Sequence, residues 1–445
     1  MSAKTPNHEL SGMKCPVNLE DVDLFSPGAQ EHWYEAYDIL HRESPVHKLP
    51  GEGLEPGSDA YILTNHEDIE LVVKNWERFP PIMSLGIEEL AKSDVDLEEL
   101  EQTNAMTVSI VSLRPNPEMW RAHRQELTDP WVGPGAKRNE AMIRKFANQL
   151  IDNWIDNENG EVEFIDAFAR PLPQMVMATI LGFPLEDLKR LENWGKAQVM
   201  PFVYGKGHRN ILTPEQTKEQ FEILDGFNEY VRDKVIEKRK DPQDDMISWL
   251  TQVTYKALDR KLTDAEINGI VYAMVIGGLE TTQYALEEQA QLLCEREGVF
   301  DEIRSDRRKV RAFTEEGMRL RSPTQGLSTR MTSQDEVFQG VKVPKGSLLH
   351  LRWAAANIDE KEWECPMDLR LDRRASTRHL TFSAGPRVCP GAHLSRLEQV
   401  TAWNCLLDRI DHLEYAPGNT FQHQPGIMLG TLELHLKFNK AAQAG

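Results

Sequence analysis

The sequence predicts a mainly α-helical protein with a minor part rich in β-strands. Two observations carry this prediction: apolar residues recur with a helical period over most of the chain, and alternating, turn-bounded segments are confined to a few short stretches. The chain has 445 residues, 40% hydrophobic and 27% charged, which suits one large globular unit or two closely packed lobes. Because no repeat or interdomain linker is visible, we expect a single domain over residues 1–445.

A first helix is predicted from Gln30 to Arg42, and a strand follows from Ala60 to Thr64. Residues Pro80 to Pro117 are expected to form a long irregular stretch that holds an acidic segment. Helical patterns then recur at Glu118–Thr128, Arg138–Asn157, Phe164–Leu181, Leu185–Val199, Pro214–Arg239, Asp244–Thr254, Thr263–Glu297 and Arg307–Leu320. The longest of these begins with the Thr-x-x-Glu spacing of a capping box at Thr263, which marks a helix N-terminus.

The strand-rich part is expected from about residues 45–65, 327–351 and 412–438, and the remainder is expected to be helical. Residues Val337 to Gly346 alternate and turn like a hairpin, whose second strand is expected to continue as Ser347 to Leu351. Near the C-terminus, Thr431 to Phe438 alternates leucine with polar or charged residues, which predicts another strand.

Charge and cysteine content narrow the class of protein. The formal net charge of −20 argues against non-specific binding to nucleic acid. No run of eighteen apolar residues exists, and the N-terminus lacks the apolar region of a signal peptide, so we expect a soluble, cytoplasmic protein without a membrane anchor. Five cysteines without a CxxC pair fit a reducing compartment better than a disulfide framework.

The most informative segment is Phe382 to Gly391, in which Cys389 follows Arg387 by two residues and is framed by glycines. A helical pattern begins at Ala392, so Cys389 is expected at or just before a helix N-terminus, where the dipole and free N–H groups favour a thiolate. Glycines let the backbone approach a flat ligand closely, and Arg387 could pair with a carboxylate on it. A lone cysteine before a helix is more often simply buried. Here the whole pattern is in register, and it resembles the haem-ligand loop of the cytochrome P450 family, Phe-x-x-Gly-x-Arg-x-Cys-x-Gly.

This resemblance implies the cytochrome P450 fold, with haem b (iron protoporphyrin IX) between a long central helix and the cysteine loop. Cys389 is then the axial ligand of the iron, and Phe382 and Gly391 contact the cofactor within the loop. The one departure inside the loop is Ser383, which stands where glycine is usual.

Inside the longest predicted helix, Gly277 and Gly278 precede Glu280 and Thr281. A glycine within a helix costs about 1 kcal/mol relative to alanine. Either a bulky ligand presses against the backbone there, or two helices pack closely and Glu280 lies in solvent. The segment resembles the oxygen-binding stretch of the same family, Ala/Gly-Gly-x-Asp/Glu-Thr. The resemblance implies that Glu280 and Thr281 deliver the protons needed to split dioxygen and that Gly278 contacts the cofactor.

Glu316 and Arg319 have the i, i+3 spacing of a pair on one helix face, which is common on protein surfaces. In the family, a buried Glu-x-x-Arg pair is joined by an arginine further along the chain. The resemblance therefore implies that Arg373 completes a structural triad, which fixes the loop that presents Cys389.

The two propionates of haem need cationic or hydrogen-bonding partners. By position, the resemblance assigns Arg387 and Arg330 to them, together with Trp120 and Arg124 on an early helix. In the segment from Trp120 to Arg124 a slip of one residue brings in Arg121 or His123 instead, and a surface basic cluster is a further interpretation. The residues expected to line an apolar substrate pocket, together with part of Pro80 to Ser112, are Ile276, Gly277, Leu327, Met428 and Leu429.

The resemblance, specific over Leu262 to Gly391, implies a bacterial-type haem-thiolate monooxygenase. Such an enzyme inserts one atom of dioxygen into an apolar organic substrate, by hydroxylation or oxidative dealkylation, with electrons from a ferredoxin or flavodoxin-type donor and its reductase. The basic run Arg304 to Arg311 is either a solvated face or a docking site for an acidic donor.

Two alternatives remain at this point. One is a peroxide-driven peroxygenase or an atypical reductive member, which has no use for the Glu280–Thr281 pair because peroxide already carries the electrons and protons. The other is a non-catalytic haem-binding sensor or carrier, which keeps Cys389 but does not need that pair.

Overall fold

The computed structural model describes residues 13–26, 28–93, 96–203, 212–326, 329–424 and 426–442. Helices account for most of the regular structure in these ranges. The α-helices are α1 Trp33–Glu43, α2 His66–Lys74, α3 Ile87–Lys92, α4 Leu97–Leu113, α5 Pro117–His123, α6 Glu140–Asp152, α7 Pro171–Leu181, α8 Leu188–Val203, α9 Pro214–Lys240, α10 Met246–Gln252, α11 Asp264–Gly278, α12 Glu280–Glu295, α13 Val299–Ser305, α14 Val310–Leu320, α15 Trp353–Ala356 and α16 Ala392–Arg409. Within the described ranges, no helix is long and apolar enough to cross a lipid bilayer.

The strands form two larger sheets and two short hairpins. They are β1 Val46–Leu49, β2 Ala60–Leu63, β3 Glu161–Glu163, β4 Thr254–Tyr255, β5 Arg260–Lys261, β6 Thr329–Met331, β7 Glu336–Phe338, β8 Val341–Val343, β9 Leu348–Leu351, β10 Ile410–Tyr415 and β11 His435–Lys440. One sheet has the order β1-β2-β9-β6 and the other has the order β10-β11-β3. Strands from the first two strand-rich ranges therefore meet in one sheet. The strands of the C-terminal range instead pair with β3, a strand that the sequence did not predict.

Two strand predictions were wrong at their ends. The hairpin of β7 and β8 does not continue into β9, because the chain turns at Gly346, whose φ is +81°, and β9 then joins a different sheet. β11 begins at His435 rather than at Thr431. The backbone N–H of Thr431 instead donates to a side-chain oxygen of Glu287 on α12, at 2.8 Å, which holds this part of the chain away from the sheet.

The prediction of an irregular stretch from Pro80 to Pro117 was also wrong, since α3 and α4 occupy most of it. The second half of α4 is buried against α11. Gly269 of α11 permits this close approach, because a Cβ atom there would lie 2.5 Å from the carbonyl oxygen of Ala105. On α4, Glu101 is buried and accepts a 2.7 Å hydrogen bond from Asn268 of α11. Packing between distant segments therefore stabilises a helix that the local pattern does not reveal.

The long helix predicted from Thr263 to Glu297 begins as expected and is interrupted in its middle. The Thr263 side chain accepts from the N–H of Glu266, and the Glu266 side chain accepts from the N–H of Thr263, which confirms the capping box. Leu279 then separates α11 from α12. Because α11 packs against α4, α7, α8 and α9, this interruption lies within the helical core.

Candidate functional site

Cys389 lies in the loop between the 3-10 turn Gly385–Arg387 and the start of α16. Its N–H donates to the carbonyl oxygen of Phe382 at 2.9 Å, which closes the loop. Burial raises the pKa of the Cys389 thiol, and the backbone N–H groups of Gly391 and Ala392 and two nearby arginines act in the opposite direction. The expected N-terminal stabilisation of a thiolate is thus present, but burial outweighs it. Protein atoms surround the Cys389 side chain, yet part of its surface is accessible to solvent, so it borders a cavity inside the protein.

The turn before Cys389 holds a residue in an unfavourable backbone conformation. Ser383 has φ +59° and ψ −169°, a region that is essentially restricted to glycine. Its buried hydroxyl has no hydrogen-bond partner among the described residues. Gly385 also has a positive φ, +71°, and a Cβ atom there would lie 2.8 Å from the carbonyl oxygen of Val73. The departure from the family pattern at Ser383 therefore carries a cost in stability.

We expect Ser383→Gly to raise the free energy of unfolding by about 1 kcal/mol. Relief of the strained conformation contributes about 1–3 kcal/mol, and the greater freedom of glycine in the unfolded chain offsets about 0.5–1 kcal/mol of it. Urea unfolding measures the effect. Ala384→Gly is the matched control, because Ala384 has an ordinary extended conformation (φ −144°) and should lose stability. A Ser383→Gly protein no more stable than the parent would contradict this account.

The two glycines of the interrupted helix have different surroundings. A Cβ atom on Gly278 would overlap Cε of Met177 on α7, so close helix packing accounts for this glycine. A Cβ atom on Gly277 would meet nothing within 4 Å, and Gly277 is exposed. The Thr281 hydroxyl donates to the carbonyl oxygen of Gly277 at 2.9 Å, a back-bond that favours a bend in the helix. Close helix packing therefore accounts for Gly278, whereas Gly277 faces open space. The expectation that Glu280 would lie in solvent beside closely packed helices was wrong, because Glu280 is not exposed.

The bend between α11 and α12 lies beside the cysteine loop. The hydroxyl of Thr282 donates to Oγ of Ser395 in the first turn of α16, at 3.1 Å. The N–H of Ser395 in turn donates to the carbonyl oxygen of Gly391 at 2.9 Å. Through these two bonds the residue after Thr281 is tied to the loop of Cys389.

Glu280 is hydrogen-bonded to a residue one turn further along α12. Burial raises the pKa of Glu280, and a hydrogen bond from Tyr284 opposes that increase. The Tyr284 hydroxyl donates to Oε2 of Glu280 at 3.0 Å. The acid and the threonine that the sequence pairs thus have separate hydrogen-bond partners, at the two sides of the bend.

Several cationic or imidazole side chains gather near the cysteine loop: Arg114, His123, Arg124, Arg330 and Arg387. Burial lowers the pKa of Arg330, Arg114 and Arg387, and the charges of neighbouring arginines lower each of them further. Nε of Arg114 and Nε2 of His123 are buried without a hydrogen-bond partner among the described residues. Among the described residues, neither Arg114, Arg124 nor Arg387 forms an ion pair with a carboxylate. Buried cations without a carboxylate partner are suited to an anionic ligand. Sequence reasoning missed Arg114, which follows α4 without any recognisable motif.

The structure separates the alternatives left open between Trp120 and Arg124. Arg121 is exposed, whereas His123 is 6% exposed. The Arg387 guanidinium lies 4.4 Å from the centroid of the Trp120 ring, and an Nη atom of Arg124 donates to the carbonyl oxygen of Val388 in the cysteine loop. Trp120 and His123 lie on α5, and Arg124 begins the π-turn that follows it.

Glu316, Arg319 and Arg373 form a buried cluster. Two nitrogens of Arg319 lie 2.8 and 3.0 Å from the Glu316 oxygens, and Nε of Arg373 lies 3.0 Å from Oε2 of Glu316. The side chains of Glu316 and Arg319 are fully buried. Arg319 also donates to the carbonyl oxygen of Asn357 at 2.9 Å, and Oδ1 of Asn357 accepts from the N–H of Leu380 at 2.6 Å. A chain of hydrogen bonds therefore connects the cluster to the turn that opens the cysteine loop.

The expected pocket residues do not all come together. Ile276 packs against a small apolar cluster that includes Met428. Gly277, the next residue in the sequence, faces open space. Leu429 instead belongs to a cluster beneath α1, because its N–H is bonded to the segment before β6. Leu327 lies outside the described residues.

Comparison with known proteins identifies the family. The sequence model of the Cytochrome P450 family matches residues 91–438. The chain belongs to the cytochrome P450 family. Curated relatives include the polyketide biosynthesis cytochrome P450 PksS of Bacillus subtilis, 25% identical over 92% of this chain and 97% of PksS, and cytochrome P450(BM-1) of Priestia megaterium, 28% identical over 92% of this chain and 94% of the relative.

Solved structures agree on the fold. P450BioI in complex with an acyl carrier protein ligated to hexadec-9Z-enoic acid has a TM-score of 0.77 at 23% identity, over 92% of this chain and 99% of that one. The Bacillus subtilis PksS structure has a TM-score of 0.76 at 22% identity, over 92% and 98% of the two chains. These similarities confirm the predicted fold class, mainly α with small sheets.

Family membership makes this chain a cytochrome P450 monooxygenase, and members bind haem b through a cysteine ligand. The described residues fit that cofactor. Cys389 borders a cavity, and the buried unpartnered nitrogens of Arg114 and His123 suit the two carboxylates of a haem.

Proposed function

We propose that Cys389 is the axial ligand of the haem iron and that this enzyme inserts one atom of dioxygen into an apolar organic substrate. One observation carries the proposal: a cysteine that borders a cavity is tied, through Ser395 and Thr282, to a helix bend with open space at Gly277. Bound haem supplies the iron chemistry that activates dioxygen. The protein's own residues hold the cofactor, shape the cavity and move protons.

We assign the haem propionates to Arg114, His123, Arg330 and Arg387. The buried Nε–H group of Arg114 needs an acceptor, and Nε2 of His123 is buried without a partner among the described residues. Arg387 is held by the Trp120 ring and by a 2.8 Å bond to Oγ of Ser84. Binding two carboxylates here offsets the repulsion among the cations. Arg124 has a different part in this proposal, because its bond to a loop carbonyl positions the cysteine loop itself.

Thr281 is proposed to hold a proton at Oγ1 beside the open space of Gly277, and Glu280 is proposed to replenish it. We expect Thr281→Ala to lower the ratio of product to released hydrogen peroxide by about tenfold or more, since a positioned proton donor is typically worth about 100-fold or more in rate. Product and peroxide are measured per electron pair consumed. Thr281→Ser keeps the hydroxyl and should retain most of the coupling. Full, coupled turnover by Thr281→Ala would remove the relay from the proposal.

The substrate is proposed to be apolar, in keeping with the cluster of Ile276 and Met428 beside Gly277. PksS is named for polyketide biosynthesis, and P450BioI was solved with a fatty acid on an acyl carrier protein. A ligand-induced haem spectral-shift screen should therefore include free fatty acids, polyketides and acyl groups on a carrier protein. A shift with an apolar member and none with charged sugars or nucleotides is expected, and the reverse result would contradict an apolar pocket.

We further propose a separate ferredoxin or flavodoxin-type electron donor, and action in the cytoplasm. The run Arg304 to Arg311 gives little support to a docking site for this donor, because its cations are largely paired with carboxylates. Arg307 pairs with Asp408 at 3.2 Å and Lys309 pairs with Glu302 at 2.5 Å. Turnover with reduced ferredoxin, and not with hydrogen peroxide alone, is the expected result. Turnover by peroxide alone would favour a peroxygenase.

A further inference from the structure

Tyr284 connects Glu280 to a loop near the C-terminus. It lies one turn after Glu280 on α12, is 4% exposed, and donates its hydroxyl hydrogen to Oε2 of Glu280 at 3.0 Å. Nε2 of Gln424 donates to the same hydroxyl oxygen at 2.5 Å. An amide NH₂ group only donates, and a phenol has a single hydrogen. The bond from Gln424 therefore leaves that hydrogen for Glu280, so the three side chains form a hydrogen-bonded chain with one direction.

The same loop also holds the aromatic ring of Tyr284. A Cβ atom on Gly430 would lie 2.6 Å from Cδ1 and 2.9 Å from Cζ of Tyr284, so the ring lies directly against the Gly430 backbone. The φ of Gly430 is not in the left-handed region, and contact with the ring is therefore the reason for a glycine here. The N–H of Gln424 donates to the carbonyl oxygen of Gly430 at 2.8 Å. One loop thus fixes both the ring and the hydroxyl group.

We propose that Tyr284 and Gln424 are positioning residues for Glu280, which hold its carboxylate in one orientation at the helix bend as a hydrogen-bond acceptor. The proposal rests on the proton-supplying role given above to Glu280. Under this proposal, Tyr284 and the loop residue Gln424, which is distant from it in the sequence, belong to the group of residues that supplies protons.

The charges around Glu280 show why the tyrosine matters. Burial raises the pKa of Glu280, and the Tyr284 bond, Lys196 and Arg170 lower it, whereas Glu192 raises it. Lys196 is itself paired with Glu192 at 2.7 Å, which weakens its influence. Without the hydroxyl of Tyr284, we expect Glu280 to keep its proton to a higher pH. Because Glu280 must both take up and release a proton in its proposed role, the pH range in which it can do so then moves upward.

The ionisation of Glu280 can be followed without turnover, in the holoenzyme. Because its folded-state pKa is raised, the folded protein holds a proton that the unfolded chain releases, and the free energy of unfolding falls as pH rises across that interval. In Tyr284→Phe this decrease in the free energy of unfolding should continue to a pH about one unit higher, since a hydrogen bond to a charged group is removed. Glu280→Gln should abolish this part of the pH dependence, and Tyr284→Phe added to Glu280→Gln should change it no further.

Two further variants make the test specific. Gly430→Ala removes no polar group but displaces the ring, so it should shift the pH dependence in the same direction as Tyr284→Phe. Tyr415→Phe is the matched control, because Tyr415 also donates to a glutamate, Glu295 at 2.8 Å, outside this chain of bonds. The second readout is the share of consumed dioxygen released as hydrogen peroxide, with a reduced ferredoxin as donor. It should rise several-fold in Tyr284→Phe and Gly430→Ala and remain unchanged in Tyr415→Phe.

The two readouts separate the two proposals. If the unfolding profile of Tyr284→Phe matches that of Tyr415→Phe, the positioning role is overturned, whatever the peroxide share. If the profile shifts as expected but Glu280→Gln leaves the peroxide share unchanged, Tyr284 positions Glu280 and the relay role of Glu280 is wrong.

Discussion

Replacing Cys389 with serine is expected to abolish the thiolate-ligated haem spectrum and the monooxygenase activity with it. A serine hydroxyl is nearly isosteric with the thiol but hardly ionises, so it cannot supply the anionic sulfur that binds the iron and directs the chemistry of the family. The long-wavelength absorption of the reduced, carbon monoxide-bound protein measures the effect. Because the loop is closed by backbone bonds such as that from Cys389 N–H to Phe382, we expect the polypeptide to remain folded.

Cys405 provides the matched control for this variant. It is a free cysteine on α16, the helix that follows the loop, and it is 1% exposed. Cys405→Ala should lower the free energy of unfolding by about 1 kcal/mol and leave the haem spectrum unchanged. Retention of the thiolate spectrum in Cys389→Ser would show that another residue binds the iron, and a loss of that spectrum in Cys405→Ala would point to Cys405.

Glu316→Gln is expected to lower the free energy of unfolding by about 3–5 kcal/mol. The substitution leaves Arg319 and Arg373 without their shared carboxylate, in a site where Glu316 and Arg319 are fully buried. Removing one partner of a buried ion pair is costly because the remaining charge stays out of water. Urea unfolding measures the loss, and haem retention should fall with it, since the cluster is connected through Asn357 to the cysteine loop.

Glu364→Gln is the matched control for Glu316→Gln. Glu364 pairs with Arg370 at 3.1 Å, and its side chain is 82% exposed. An exposed pair of this kind is worth about 1 kcal/mol at most. If the two glutamine variants had the same small effect, the cluster of Glu316 would not be the support of the loop that we describe.

Short-range patterns could be predicted from the sequence because local backbone geometry alone fixes the relative positions of their residues. The capping box at Thr263 is an example, since it requires a fixed spacing of three residues and the structure has it. The fold class was predictable for the same reason, as helical periodicity is a local property. The family and its cofactor followed from three such patterns in one order along the chain, which the match over residues 91–438 supports.

Errors arose where distant segments decide the outcome. α4 was missed because its stability comes from contact with α11 at Gly269. The assignment by resemblance allowed a slip of one residue between Trp120 and Arg124, and only the packing of α5 shows that Arg121 is exposed and His123 is buried. Arg114 carries no motif at all, and only its burial near Arg387 identifies it.

The sequence by itself determined the family, the cofactor and the cysteine most suited to bind it, because these depend on residue types at short, fixed spacings. The tertiary structure decided which side chains gather at the cavity and what each one contacts: Gly277 towards open space, Gly278 against α7, and Glu280 bonded to Tyr284. The physical reason is distance along the chain. Gln424 lies 140 residues after Tyr284, and only the packing of whole helices and loops brings two such side chains within one hydrogen bond.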